Sequence, residues 1–159
     1  MRLRSTTNVA GSDYRGLGVM VTMSTGQVIT DLTSPEILLW DTEIYDDLAF
    51  HSTVSNTSRI TVPAGVTRLQ LFCCIHTEDL GATTHFKLIE LVKNGSNTFD
   101  GAGAFQQRDI ADITPRLPIL TVLSVIEGDY FELQYSTTVT GAGETLQTDQ
   151  NYFGAMVVL

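Results

Sequence analysis

The sequence predicts an all-β domain, a sandwich or barrel of short strands, and three observations carry that prediction. Thr, Ser, Gly and Val recur throughout, whereas charged residues make up only 17% of the 159, below the roughly 25% usual for globular domains. β-Branched side chains lose rotamer freedom in a helix yet sit well on a pleated surface. The chain also breaks into short apolar runs separated by turn clusters, and no long helical period occurs. One domain accounts for the length, with enough chain to bury a single core.

The elements follow in order. A first strand is expected over 18–24 (GVMVTMS), and the "STG" turn leads to a second at 27–30 (QVIT). A third follows at 36–40 (EILLW). Strands at 58–62 (SRITV) and 66–76 (VTRLQLFCCIH) flank "PAG", in which Pro fixes φ and Gly supplies a positive one. The run 84–93 (THFKLIELVK) is apolar enough for a helix, but it is short, opens on threonines and stops at "KNGSN", so it is read as a strand. Strands at 117–126 (LPILTVLSVI) and 129–137 (DYFELQYST) are joined by "EGD", and after "TGAGE" the strand 151–158 (NYFGAMVV) closes the domain. Residues 1–16 form a separate arm, and the body spans 17–159.

Alternation identifies the buried faces. In 66–76, Leu69, Leu71, Cys73 and Ile75 share a side opposite Gln70, Phe72, Cys74 and His76; in 129–137, Phe131, Leu133 and Tyr135 oppose Tyr130, Glu132 and Gln134. The run 117–126 is different, being apolar on both sides: Ile119, Leu123 and Val125 with Thr121 on one, Leu120, Val122 and Ile126 on the other. An antiparallel sandwich covers one face of each strand, so this strand needs a second cover. A second copy of the same chain supplies one, and Leu120, Val122, Ile126, Tyr130 and Tyr152 are the residues expected at that contact. The competing cover is a loop from Asp100 to Arg116 folding back over the strand.

Charge narrows the partners. The net charge is −9, yet residues 1–16 carry Arg2, Arg4 and Arg15 against Asp13, so a basic arm precedes an acidic body. An acidic body repels a phosphate backbone, which argues against nucleic acid. No apolar stretch is long enough to span a bilayer, and the N-terminus lacks the apolar core of a signal peptide, so a soluble protein made in a cytoplasm is expected. Adjacent Cys73 and Cys74 cannot build a disulfide framework within one chain and are read as reduced, partly buried thiols.

Chemistry has few candidates. His51, His76 and His85 sit in separate segments, and no nucleophile elbow, Cys-x-x-Cys, zinc-binding His-Glu-x-x-His or phosphate loop occurs. No enzyme activity and no cofactor are expected. The densest polar stretch is "WDTEIYDDLAFH", Trp40 to His51. Asp41, Glu43, Asp46 and Asp47 offer oxygen ligands to a hard cation such as calcium, but the spacing does not match a twelve-residue calcium loop and the turn glycine is missing. The interleaved Ile44, Tyr45, Leu48 and Phe50 read as apolar pins of a solvated connection.

In motif order the chain resembles the jelly-roll domain shared by tumour necrosis factor and the globular heads of complement. The stretches that carry the resemblance are "FHSTVSNTSRITVPAGVTRLQL", "FKLIELVKNG", "LTVLSVIEGDYFELQYS" and the closing "NYFGAMVVL". The segment "WDTEIYDDLAFHSTVSNTSRITVPAG" is similar to the version of this domain in tailed-bacteriophage virion proteins, where an Asp-x-Glu-x-Tyr-Asp segment and a Phe-His step precede "R-x-T-V-P-A-G". The resemblance implies a jelly-roll β-sandwich, a compact homotrimer formed through apolar inner strands, and a scaffold role for the acidic cluster. It implies a virion structural protein, made in the host cytoplasm: a trimeric capsid decoration, or cement, protein whose arm reaches the major capsid protein or another virion protein through Arg2, Arg4 and Arg15. The alternative is the tip or base of a tail or head fibre that binds host glycan or a neighbouring fibre subunit through the 77–85 and 99–116 loops. The chain shows no collagen repeat or heptad stalk ahead of the domain, which weighs toward the first.

Overall fold

The computed structural model describes residues 16–29, 34–76, 85–96, 103–108, 116–137, 144–146, 148 and 150–158. Twelve strands occur among them: β1 (Gly18–Thr22), β2 (Val28–Ile29), β3 (Glu36–Ile37), β4 (Thr42–Asp46), β5 (Ile60–Thr61), β6 (Arg68–His76), β7 (His85–Lys93), β8 (Gly103–Arg108), β9 (Arg116–Ser124), β10 (Tyr130–Thr137), β11 (Glu144–Thr145) and β12 (Tyr152–Val157). No helix occurs among the described residues. The strands form two main antiparallel sheets. One runs β4-β1-β12-β6-β9; the other runs β3-β10-β7-β8, with β5 also paired to β10, and β2 pairs with β11 beside them.

Most neighbours in the two sheets come from distant parts of the chain, the consecutive pair β7-β8 excepted, which is how a jelly roll places its first and last long strands side by side. Gly18 of β1 meets Met156 of β12 in that pairing, and a Cβ at Gly18 would collide with the carbonyl oxygen of Ala155. The chain's start and end can lie this close only with a glycine at that point.

The core forms where the inward residues of the sheets meet. Val19 and Val21 of β1, Leu69, Leu71, Cys73 and Ile75 of β6, Phe131, Leu133 and Tyr135 of β10, and Phe153 and Ala155 of β12 are all buried. Trp40 enters the same core, its ring 5.9 Å from that of Phe153. The alternation in β6 and β10 therefore places the predicted residues inside. Within the expected run 84–93, His85–Lys93 form a strand, because Ile89 and Leu91 meet the core while the neighbours on β10 claim the backbone on one side.

Three strands depart from the sequence reading. Thr42–Asp46, expected as a solvated connection, is the edge strand β4, and its pairing with β1 shifts register between Met20 and Val21. That bulge leaves Ile44 without a partner on β1, which breaks the two-residue period the reading relies on. Gly103–Arg108, inside the stretch offered as the competing cover for residues 117–126, is strand β8, and it pairs with β7 in the other sheet. Glu144–Thr145, part of the expected turn, pairs with β2. Gln27 extends that small pairing with its side chain: Nε2 donates to Ile37 O, and Leu39 N donates to Oε1, both at 3.0 Å.

Candidate functional site

The acidic stretch resolves into separate local duties. Asp41 accepts from Ser24 N at 2.7 Å, Ser24 Oγ at 2.9 Å, Thr42 Oγ1 at 2.9 Å and Thr25 N at 3.3 Å. Burial, the largest single influence, pushes its carboxyl up, but these donors together outweigh it and hold the group below the usual carboxylate range. Asp46 accepts from Phe50 N at 3.0 Å and His51 N at 2.9 Å, closing the turn after β4. Asp47 accepts from Gly18 N at 3.0 Å, tying that turn to β1. Glu43 faces His51, with Oε1 3.0 Å from Nδ1. Among the described residues, no three His, Cys, Asp or Glu side chains converge on a common point, so these four acids are not brought together as ligands.

His51 itself is a structural bridge. Its side chain is buried, with Nδ1 against Glu43 and Nε2 3.1 Å from the carbonyl oxygen of Thr57. The ring joins β4 to the turn before β5. The cysteines are also structural: both are free and buried, and burial pushes the Cys73 thiol up to about 12, far from the thiolate a nucleophile needs.

The feature that stands out is the outer face of the β4-β1-β12-β6-β9 sheet. Its registers place Tyr45, Met20, Gly154, Phe72 and Leu120 in one row across all five strands. A flanking row holds Met156, Gln70 and Val122; the other holds Tyr152, Cys74 and Pro118. Leu120 is 69% exposed, Val122 47% and Tyr152 37%; Ile126, just past β9, is 71% exposed. On the same strand Leu117, Ile119 and Val125 are buried. Residues 117–126 are thus apolar on both sides, with one side in the core and the other facing outward.

Gly154 makes this surface flat. A Cβ there would run into the Phe72 ring and approach Val19 O to 2.8 Å, so the glycine is what lets the ring lie across β12. Tyr152 flanks it, with ring centroids 6.3 Å apart. The sequence reading places Leu120, Val122, Ile126 and Tyr152 at a contact surface, and the structure brings Leu120, Val122 and Tyr152 onto one face with Ile126 at its end. Tyr130 does not join them. It lies on β10, in the other sheet, with the Arg59 guanidinium 4.0 Å from its ring centroid. Strand parity shows that Tyr130 points outward, but not from which sheet. Phe72, Met20 and Tyr45 were missed; the alternation of β6 signals Phe72, whereas Met20 and Tyr45 emerge only from register. Arg2, Arg4 and Arg15 of the predicted basic arm lie outside the described residues, as does most of the 77–85 loop; of the 99–116 loop, Gly103–Arg108 form β8 and Arg116 opens β9, and the rest lies outside the described residues.

No family model and no curated relative match the chain. Solved structures do. A tumour necrosis factor from S. frugiperda, Eiger, is 12% identical with a TM-score of 0.55, over 91% of this chain and 94% of its own. Murine APRIL is 10% identical with a TM-score of 0.60, over 91% of this chain and 100% of its own. The globular domain of zebrafish complement 1qA protein is 10% identical with a TM-score of 0.61, over 90% of this chain and 98% of its own. At such identities the likeness concerns fold alone: the chain is an all-β, antiparallel jelly roll of the tumour necrosis factor and complement-head type.

Proposed function

We propose that this chain is a non-enzymatic structural protein that acts as a homotrimer, and that the trimer is a capsid decoration protein on the head of a tailed bacteriophage. The fold is compatible with a trimeric structural or binding protein. The observation that carries self-association is the outward row from Tyr45 to Leu120. Leu120, Val122, Tyr45 and Tyr152 are exposed large apolar or aromatic side chains on this one sheet face, and exposed apolar patches mark interaction sites when they exceed a few hundred Å². Covering a few hundred Å² of it contributes several kcal/mol of gross driving force at roughly 25 cal/mol per Å², which association costs then reduce. A second copy is the occupant favoured here, because the sequence resemblance implies trimers built through the apolar strands of this domain.

Assignment to a phage head is supported by the similarity of "WDTEIYDDLAFHSTVSNTSRITVPAG" to phage virion domains. It is also supported by the basic arm, whose Arg2, Arg4 and Arg15 suit an acidic capsid surface. Each exposed contact of that kind is worth about 0–1 kcal/mol, and three arms on one trimer multiply it. The protein would be made in the host cytoplasm and function in the virion. Light scattering tests the assembly: about three times 17.4 kDa is expected at micromolar concentration, and a stable monomer overturns it. Imaging particles that lack the protein, after adding it back, tests the location. Density on the capsid lattice supports decoration, whereas density at a fibre end transfers the protein to the fibre and its host glycan or fibre partner.

A further inference from the structure

We propose that the polar cavity between Ala49 and Thr61 binds a small oxyanion, a carboxylate or phosphate group, seated on the Arg59 guanidinium. The cavity measures about 180 Å³ and is lined by residues 49–52, 55 and 56 together with Arg59 and Thr61. That is below the roughly 300–1,000 Å³ of drug-sized pockets and suits one anionic group or one sugar ring. It lies at the side of the molecule occupied by β5 and β10, and the inference is independent of the trimer.

Arg59 is held before any ligand arrives. Its Nε donates to Glu132 Oε1 at 3.1 Å, and its guanidinium carbon stands 4.0 Å from the centre of the Tyr130 ring. Ser58 Oγ donates to the same Glu132 oxygen at 2.6 Å, which fixes the carboxylate that fixes the arginine. The side chain remains 35% exposed. A planar fork with its Nε bound to Glu132 and its side chain still partly exposed matches a two-oxygen anion.

The rest of the lining agrees. No carboxylate lines the cavity, in a chain of net charge −9. The acids bonded to lining residues are already engaged: Glu132 by Arg59 and Ser58, Glu43 by His51, and Asp46 by the Phe50 and His51 amides. The Asn56 amide and the Thr61 hydroxyl add neutral donors that no described side chain uses. Ser52 Oγ accepts from Val54 N and Ser55 N and lies 3.3 Å from Ser55 Oγ, which fixes one wall. Ala49 and Asn56 hold positive φ angles of 59° and 52° on either side of that wall. An alanine there pays a steric cost that a glycine would avoid.

The test is a titration of the purified full chain, followed by backbone-amide NMR, with inorganic phosphate, glucuronate and uncharged glucose. Saturable shifts at residues 49–61 with a Kd near the millimolar range are expected for at least one anion, and none for glucose. A response to glucuronate alone assigns a sugar acid; a response to phosphate alone assigns a free phosphate or phosphoester; a response to both assigns a general oxyanion seat. Arg59→Gln is expected to weaken binding at least about tenfold, a loss of one charged fork. Because that change also releases Glu132, Asn56→Gly and Thr61→Val serve as a second pair: glycine suits the positive φ at 56, and both leave the Arg59 anchor intact. They are expected to weaken binding about two- to fivefold. Absence of shifts at these amides with both anions, or binding unchanged in Arg59→Gln, overturns the proposal.

Discussion

Lys93 Nζ lies 2.6 Å from Asp129 Oδ2, and this pair locks together two turns that belong to the stretches carrying the sequence resemblance. The "KNG" turn ends β7 and the "EGD" turn begins β10. Asn94 Nδ2 donates to Asp129 Oδ1 at 2.8 Å, Tyr130 N donates to Asn94 Oδ1 at 2.9 Å, and Ile126 N donates to Asp129 Oδ2 at 3.1 Å. Asn94 holds φ at 52° and Gly128 at 83°, so each turn is shaped to present its polar group to the other. Asp129→Ala removes one partner from a nearly buried ion pair and orphans two amide donors. It is expected to lower stability by about 2–3 kcal/mol, read as a shifted urea midpoint. Lys93→Met alone is expected to cost less, since Asp129 keeps its N–H donors, and a double-mutant cycle should show coupling between the two.

Much of the architecture is legible in sequence because burial enforces it. Leu69, Leu71, Cys73 and Ile75 sit on one side of β6, and the alternation that predicts this is the alternation the core imposes. Strand β4 is not legible for the opposite reason. It is an edge strand whose Glu43, Ile44 and Tyr45 are exposed, and its bulge disrupts the period, so neither burial nor pattern marks it. Strand β8, GAFQQR, carries little apolar signal and is held by backbone pairing to β7. The contact surface divides similarly. Leu120 and Val122 follow from parity along one strand, whereas grouping them with Phe72, Met20 and Tyr45, and separating them from Tyr130, requires registers between strands far apart in the chain.

Stability is expected to fall with acid in two stages. Burial, together with the positive charges of Arg116 and Lys87, holds the His76 imidazole below its ordinary 6.5. The folded chain then binds fewer protons than the unfolded chain, so the stabilisation is complete above about 6.5 and is lost as pH falls through the lowered value. Asp41 and Asp129 follow at lower pH. Burial raises both, but their hydrogen-bond donors prevail and hold them below 3.8; their contribution is full above that value and disappears as pH falls through the depressed one. Melting temperature followed by circular dichroism should show both declines. In His76→Gln the first should shrink, and an unchanged profile would refute the assignment.

His51→Ala is expected to destabilise the chain by about 2–3 kcal/mol. The change removes a buried ring and leaves the Thr57 carbonyl and Glu43 without their shared partner. His51→Gln retains one reach toward either group and should recover part of the loss. Adding calcium to the unmodified protein is expected to leave its melting temperature unchanged, because Asp41, Asp46 and Asp47 are committed to separate backbone amides. A calcium-dependent rise would reinstate the acidic cluster as a metal site.

Gly154→Ala separates flatness from hydrophobicity on the outer face. The added methyl meets both the Phe72 ring and Val19 O, and the second contact is backbone that cannot rotate away. A loss of about 1–3 kcal/mol is expected from overpacking. Phe72→Ala in the same chain should restore only part of it, since the approach to Val19 O remains. Full restoration would place the entire conflict in the ring.

Leu120→Asp tests assembly without disturbing the fold. Leu120 is 69% exposed in the single chain, so a carboxylate there leaves the core intact and stability of the monomer should change by less than about 0.5 kcal/mol. In a trimer that covers this face, the same carboxylate loses its water and gains no cation, which costs several kcal/mol at each of three copies. Val122→Asp, in the neighbouring row, should behave alike, whereas Leu69→Asp, one strand away but facing inward, should unfold the chain. Sedimentation therefore separates the cases. Folded monomers from both outer-face variants, beside an assembled parent, match an interface through this sheet; assembly that survives both substitutions removes the sheet from the interface and leaves its apolar rows without a role.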